Sequence, residues 1–405
     1  MKNLVVAAFV LLLAYYGPQR DEASRFDVAW MLGALALVAA SFGQLAQAAR
    51  LPALVGWLAA GLVLGASGLQ VVGPSSLALY PVLLLLAGLW VGFQVGLHVV
   101  WPPQWDWRGP VLMALATILV FAVTTAAVAV VAELPWDTAV LIGALASLWG
   151  PFTAVPEHRR RSALLLSLMG SGFALVLLSG ALVVLEGEAL VEAGATAWAG
   201  CVWLSLVAGG ALGLGLRLVG LFDGAASTLV TVLLGGFLCT AIALAEWGLM
   251  ALPCGLAVGL VQGSARLATR RVRLLLHRAA PVPFILFFAL VGTALDLRAL
   301  WPLEEGLWQV ALVLVAVPVL LRGLAPMAYY PLPGSGQRIG WLLLPRGALL
   351  FELFYGPHGL AQYAGVGGVL GQAVLVDVVF SALVFSALAP LLGTGEEDGD
   401  PKQAA

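Results

Sequence analysis

The chain has 405 residues, of which 62% are hydrophobic and only 10% charged, with a formal net charge of −2 and a mean hydropathy of +1.03. Soluble globular domains carry roughly 25% charged residues, so this composition excludes a water-facing surface for most of the chain and makes the lipid bilayer its expected surrounding. There is no basic tract of the kind that binds nucleic acid.

Apolar runs separated by short charged or Pro/Gly breaks fall near residues 4–17, 27–48, 52–69, 77–100, 109–132, 136–155 and 162–186. They resume near 194–220, 226–246, 248–264, 280–297, 305–328, 337–358 and 366–393. A helix needs about 20 apolar residues to span the hydrocarbon core, so the expected fold class is an all-α membrane protein with about 13–14 transmembrane helices. Residues 1–393 read as a single polytopic membrane domain, and 394–405 as an acidic tail carrying Glu396, Glu397, Asp398 and Asp400. The first run follows Met1-Lys2-Asn3 and has the charged start and apolar middle of a signal peptide, yet Ala14-Tyr15-Tyr16-Gly17 lacks a small-x-small cleavage site. A retained helix and a cleaved segment both stay open there.

Loop charges orient the spans. Arg50, Arg108, Arg159 to Arg161, Arg217, the cluster from Arg266 to Arg278, and Arg338 fall in alternate loops. The intervening loops carry Glu133, Asp137, Glu186, Glu188, Glu192, Glu246, Asp296, Glu304 and Glu305, with only Arg20, Arg25 and Arg298 on that side. Positive charge is retained on the cytoplasmic face, so both termini are expected in the cytoplasm and the whole chain in a bacterial-type inner membrane.

Cys201, Cys239 and Cys254 each stand alone in apolar stretches, and His98, His158, His277 and His358 are far apart. The pattern suggests neither a disulfide framework nor a metal site, and no cofactor is implied.

Several segments together resemble the cation:proton antiporter superfamily. Arg50–Gly65 (RLPALVGWLAAGLVLG) is similar to its "RLPxxxGyLxaGlxLG" opening, and Leu89–His98 (LWVGFQVGLH) to its "LFxxGLE" segment. Asp137–Pro151 resembles the helix ending in Thr-Asp-Pro, Pro283–Leu297 (PFILFFALVGTALDL) the "PFFFxxxGLxLDL" stretch, and Trp341–Gly347 (WLLLPRG) the "xxxPRG" helix. The resemblance implies two inverted repeats, each with a helix broken near the midplane. Residues 52–186 and 248–393 each supply five spans, with linker helices at 194–246 between them. Trp149-Gly150-Pro151 and Pro345-Arg346-Gly347 interrupt the fourth span of each set, and paired breaks point to a binding centre.

The resemblance fails at the ions' expected place. Transporting members carry Asn-Asp or Asp-Asp on the helix after the first break, where a carboxylate binds a cation when ionised and releases it to a proton. Here Gly170 and Ser171 occupy those positions, Gly150 stands where the broken helix usually has Asp, and His98 where the family often has Glu. A serine hydroxyl can face an ion but does not exchange protons at physiological pH.

The ionisable residues left inside expected spans are Arg322, Arg346, Glu352 and Asp377. Each is a functional candidate by default, because a charge at the bilayer centre costs about 2.5–3.5 kcal/mol on insertion scales. With Gly150, Thr153, Gly170 and Ser171 they form the candidate ion site. Two readings follow. One is secondary transport of a monovalent cation coupled to protons, through a relocated site built on Asp377 or Glu352 with Ser171, Thr153 and broken-helix carbonyls. A variant replaces the cation with an anion held by Arg322 and Arg346. The alternative is a transport-inactive paralogue acting as sensor, scaffold or subunit of a membrane complex. Absence of a Ser-His pair, carboxylate dyad or metal cluster within the spans argues against an intramembrane enzyme. The resemblance also implies a homodimer.

Overall fold

The computed structural model describes residues 25–49, 51, 53–72, 80–99, 107–149, 160–185, 195–222, 226–264, 281–295 and 307–324, together with residues 350, 352, 353 and 374. Among the described residues every regular element is helical. In chain order they are α1 (Arg25–Ala48), α2 (Ala53–Leu64), α3 (Tyr80–His98), α4 (Arg108–Val131), α5 (Trp136–Ser147) and α6 (Arg160–Leu185). There follow α7 (Ala195–Phe222), α8 (Ala226–Trp247), α9 (Ala251–Ser264), α10 (Pro281–Ala294) and α11 (Leu307–Leu324). Each coincides with an apolar run, and the starts of α4, α6 and α7 lie within two residues of those expected. The run expected at 4–17, most of those at 337–358 and 366–393, and the acidic tail lie outside the described residues.

Five of these helices, α1, α3, α4, α6 and α7, are long and apolar enough to cross a membrane. Their outward faces are apolar as well: Leu115 and Ile118 on α4, Val183 on α6, and Leu204 and Val207 on α7 are all exposed. Such a surface is unstable against water and matches lipid tails.

Packing divides the described helices into two groups. α4, α5, α6 and α11 contact one another, and α1, α2, α3, α7, α8, α9 and α10 form the other set, with α6 touching α7 and α3 between them. Within the larger set α2 lies against α10 and α9 against α3, while α3 also meets α10. Between helices in lipid, association depends on close packing rather than on expulsion of water, which favours small residues at the contact. The α3–α9 seam shows why. Gly92 and Gly96 of α3 face the backbone of α9, and Gly255 and Gly259 of α9 face that of α3. A Cβ on Gly92 would collide with the Leu252 carbonyl oxygen, and one on Gly255 with that of Leu89. The other flank of α9 meets α7 in the same way, Gly209 lying against the backbone of Cys254.

A buried apolar core runs through both groups, from Leu35 and Leu58 through Leu141, Leu145 and Leu178 to Phe287 and Phe288, and it includes Leu350, Leu353 and Val374. A smaller cluster around Phe93 and Phe237 fixes α8 to α3, the two rings meeting edge to face at 5.1 Å between centroids.

Candidate functional site

α5 is the element that makes an interior site. It begins at a tight turn in which Glu133 has a positive φ of 51° and Pro135 precedes the first helical residue. The Asp137 carboxylate accepts the Thr138 N–H at 2.9 Å within its first turn, where an acidic group complements the positive end of the helix. With 12 residues it reaches only about 18 Å, little more than half of the ~30 Å hydrocarbon core. It therefore stops inside the bundle: Ser147, Leu148 and Trp149 are all buried. Leu148 donates its N–H to the Leu145 carbonyl and then turns to extended backbone, φ −60° and ψ 142°.

Trp149 is 1% exposed and occupies the space beyond that helix end. Its indole N–H donates to Thr117 Oγ1 of α4 at 2.8 Å, and the Thr117 hydroxyl donates in turn to the Met113 carbonyl at 2.6 Å. On the facing side the ring lies against Gly170 of α6. A Cβ at Gly170 would stand 2.5 Å from the indole Cδ1 and 2.7 Å from both the indole nitrogen and Met113 Cε. The next residue, Ser171, donates its hydroxyl to the Trp149 carbonyl oxygen at 2.9 Å, satisfying a buried backbone acceptor just past the helix end. One turn earlier on α6, the buried Ser167 hydroxyl has no hydrogen-bond partner. From Met113 to Thr125, Gly143 to Trp149 and Leu165 to Leu175, the described walls of this site hold no charged side chain. Gly170 and Ser171 both lie against Trp149, Gly170 on its indole and Ser171 on its carbonyl.

Glu352 sits elsewhere. It is 4% exposed, and its two carboxylate oxygens accept the N–H groups of Ala251 and Leu252, each at 2.7 Å, at the start of α9. The hydrogen bonds of Ser171 and Glu352 therefore run to different helix groups. Arg322 belongs to α11, beyond the buried Pro318, and that helix packs on α4 and α5. Gly150, Thr153, Arg346 and Asp377 lie outside the described residues. His98 ends α3, where its Nδ1 lies 2.6 Å from the Gln94 carbonyl oxygen.

Reading residue types missed Trp149 and Thr117. The available signal was a volume exchange: a large aromatic immediately before the Gly-Pro break, with glycine at the position it must meet. Among the described residues no group of three His, Cys, Asp or Glu side chains gathers into a metal site.

Comparison with known proteins agrees with the helical plan. Residues 33–394 match the family described as "Sodium/hydrogen exchanger, transmembrane". A solved structure of the sodium proton antiporter MjNhaP1 from Methanocaldococcus jannaschii at pH 8 superposes with a TM-score of 0.59 at 15% identity, covering 91% of this chain and 98% of that one. An electron-microscopy structure of the same antiporter gives a TM-score of 0.63 at 14% identity, covering 93% and 99%. No curated protein sequence matches the chain. At these identities the structures speak for the fold: a multi-pass helical membrane protein built like an antiporter.

Proposed function

The chain belongs to the transmembrane sodium/hydrogen exchanger family, and we propose that within it this chain is a closed member, which does not run cation/proton exchange through its first crossing and serves instead as a sensor, scaffold or subunit of a membrane complex. The observation that carries this reading is Trp149 seated on Gly170. Exchange needs a site that binds a cation in one protonation state and loses it in the other. Ser171 is neutral, and its proton is already given to the Trp149 carbonyl. The ring fills the volume that a side chain at position 170 would occupy, and Thr117 holds its N–H. Glu352, the ionisable candidate among the described side chains, already has both oxygens bonded to α9.

A second reading is favoured by family membership itself: exchange relocated to Asp377, opposed by Arg346 or Arg322. Purified protein reconstituted in liposomes with a trapped pH dye separates the two. With Na⁺, K⁺ or Li⁺ added across pH 6–9, the closed reading expects no cation-dependent proton flux. Flux that disappears in Asp377→Asn would overturn it in favour of the relocated site.

The same proposal takes the chain as one membrane domain with inverted repeats near 52–186 and 248–393. The reciprocal packing of α2 on α10 and of α9 on α3 supports that symmetry. The arginine-rich alternate loops support placing both termini in the cytoplasm of an inner-membrane protein.

A further inference from the structure

We propose that Glu352 is a latch that fastens the segment following the Pro345-Arg346-Gly347 break to the buried start of α9, and through it to the glycine-packed unit of α3, α7 and α9. The latch is independent of whether the first crossing conducts.

The need for it begins in the chain just before α9. α8 ends at Trp247, Gly248 turns through a positive φ of 68°, and the next residues, Leu249 and Met250, are already buried at 2% exposure. Ala251, Leu252 and Cys254 follow at 0%. The first N–H groups of any helix lack an intrahelical acceptor, and here the residues that carry them are buried. Three successive amides are instead answered by side chains from other elements. Met250 N–H donates to Ser205 Oγ of α7 at 2.9 Å, while Ala251 and Leu252 donate to Glu352 Oε1 and Oε2. A carboxylate is the one side chain that offers two acceptors at this spacing, and its negative charge meets the positive end of α9.

The surroundings are shaped to receive it. Gly88 of α3 presents no side chain toward the carboxylate: a Cβ there would sit 3.6 Å from Oε1 and 3.3 Å from the Phe287 ring of α10. Three helices thus wall one acid. The consequence lies in connectivity. α11 packs with α4 and α5, the group that holds Trp149, and the chain continues from α11 to Glu352, which is bonded to the other group. Glu352 therefore ties the chain that continues from α11 to the other helix group through two hydrogen bonds, which are the contacts the latch would have to release.

Cys254, one turn into α9 and fully buried, is a built-in reporter. In a Cys201→Ser/Cys239→Ser background it is the sole thiol, since the chain has three cysteines. Full-length protein in detergent is treated with N-ethylmaleimide, and labelling is followed by intact mass. The background protein is expected to react only after denaturation. Glu352→Ala should label about tenfold faster or more, because two buried donors lose their acceptor together. Glu352→Gln, which keeps one acceptor oxygen, should fall between. Equal labelling rates in the background protein and in monodisperse Glu352→Ala overturn the latch. If the alanine variant does not survive extraction, Glu352→Gln decides: faster labelling supports the latch, and an unchanged rate overturns it.

Discussion

Among the described residues, the buried end of α5 and the buried start of α9 are finished with opposite chemistry. The C-terminal end of α5 is finished with neutral groups: the Ser147 hydroxyl on the Ala144 carbonyl, then the Ser171 hydroxyl on the Trp149 carbonyl and the indole filling the gap against Gly170. The N-terminal end of α9 exposes amides, and the chain answers with the Glu352 carboxylate. A helix start can absorb an anion because its dipole and free N–H groups favour one, whereas a helix end repels it. This protein therefore keeps a carboxylate where local backbone stabilises it as structure. The described walls around Trp149 hold none. The buried acid alone is no sign of transport; what its oxygens are bonded to decides the matter.

The comparison breaks first at Trp149. Trp149→Ala removes a fully buried indole and should lower the unfolding free energy, measured by SDS titration, by about 3–5 kcal/mol, as for large-to-small changes in packed interiors. Gly170→Ala, which pushes a methyl group into the ring, should lower it by about 1–3 kcal/mol. The double variant should cost clearly less than the sum, because the added methyl then enters the space the ring has left. Strict additivity would mean that the two residues do not share one volume, and the plug would lose its basis. Thr117→Val, which keeps the shape and removes the acceptor of the indole N–H, should cost about 1 kcal/mol, in the range of hydrogen bonds measured between membrane helices.

How far residues alone could predict these two ends differs by physical cause. The helix plan was legible because lipid imposes it run by run: 109–132 became Arg108–Val131, and 226–246 became Ala226–Trp247. The early end of α5 at Ser147 was legible from the Gly150-Pro151 that follows it in sequence. The occupant was not, because Trp149 and Gly170 become complementary only once α5 and α6 are packed. Glu352 was legible as an ionisable residue in an apolar run, but its partners were not. Backbone amides one hundred residues earlier carry no mark of residue type, and any sequence at Ala251 and Leu252 would offer the same N–H groups.

The smallest expected effect separates a structural hydroxyl from a ligand. Ser171→Ala removes one neutral donor from the Trp149 carbonyl and should cost about 0.6 kcal/mol, the average for such bonds in a membrane protein. A group that only closes a helix end contributes the same amount in any salt. A group that also binds Na⁺ or K⁺ in the native state adds a term that grows with ion concentration as RT ln(1 + [L]/Kd). Unfolding of the parent and of Ser171→Ala should therefore be followed from low to high Na⁺, with choline keeping ionic strength constant. The expected result is two parallel lines, flat in Na⁺ and separated by the same small gap throughout. A parent that gains stability with Na⁺ while Ser171→Ala does not would make Ser171 an ion ligand after all. It would then place a working site beside the plug, with the unpartnered Ser167 hydroxyl one turn away as the first neighbour to replace.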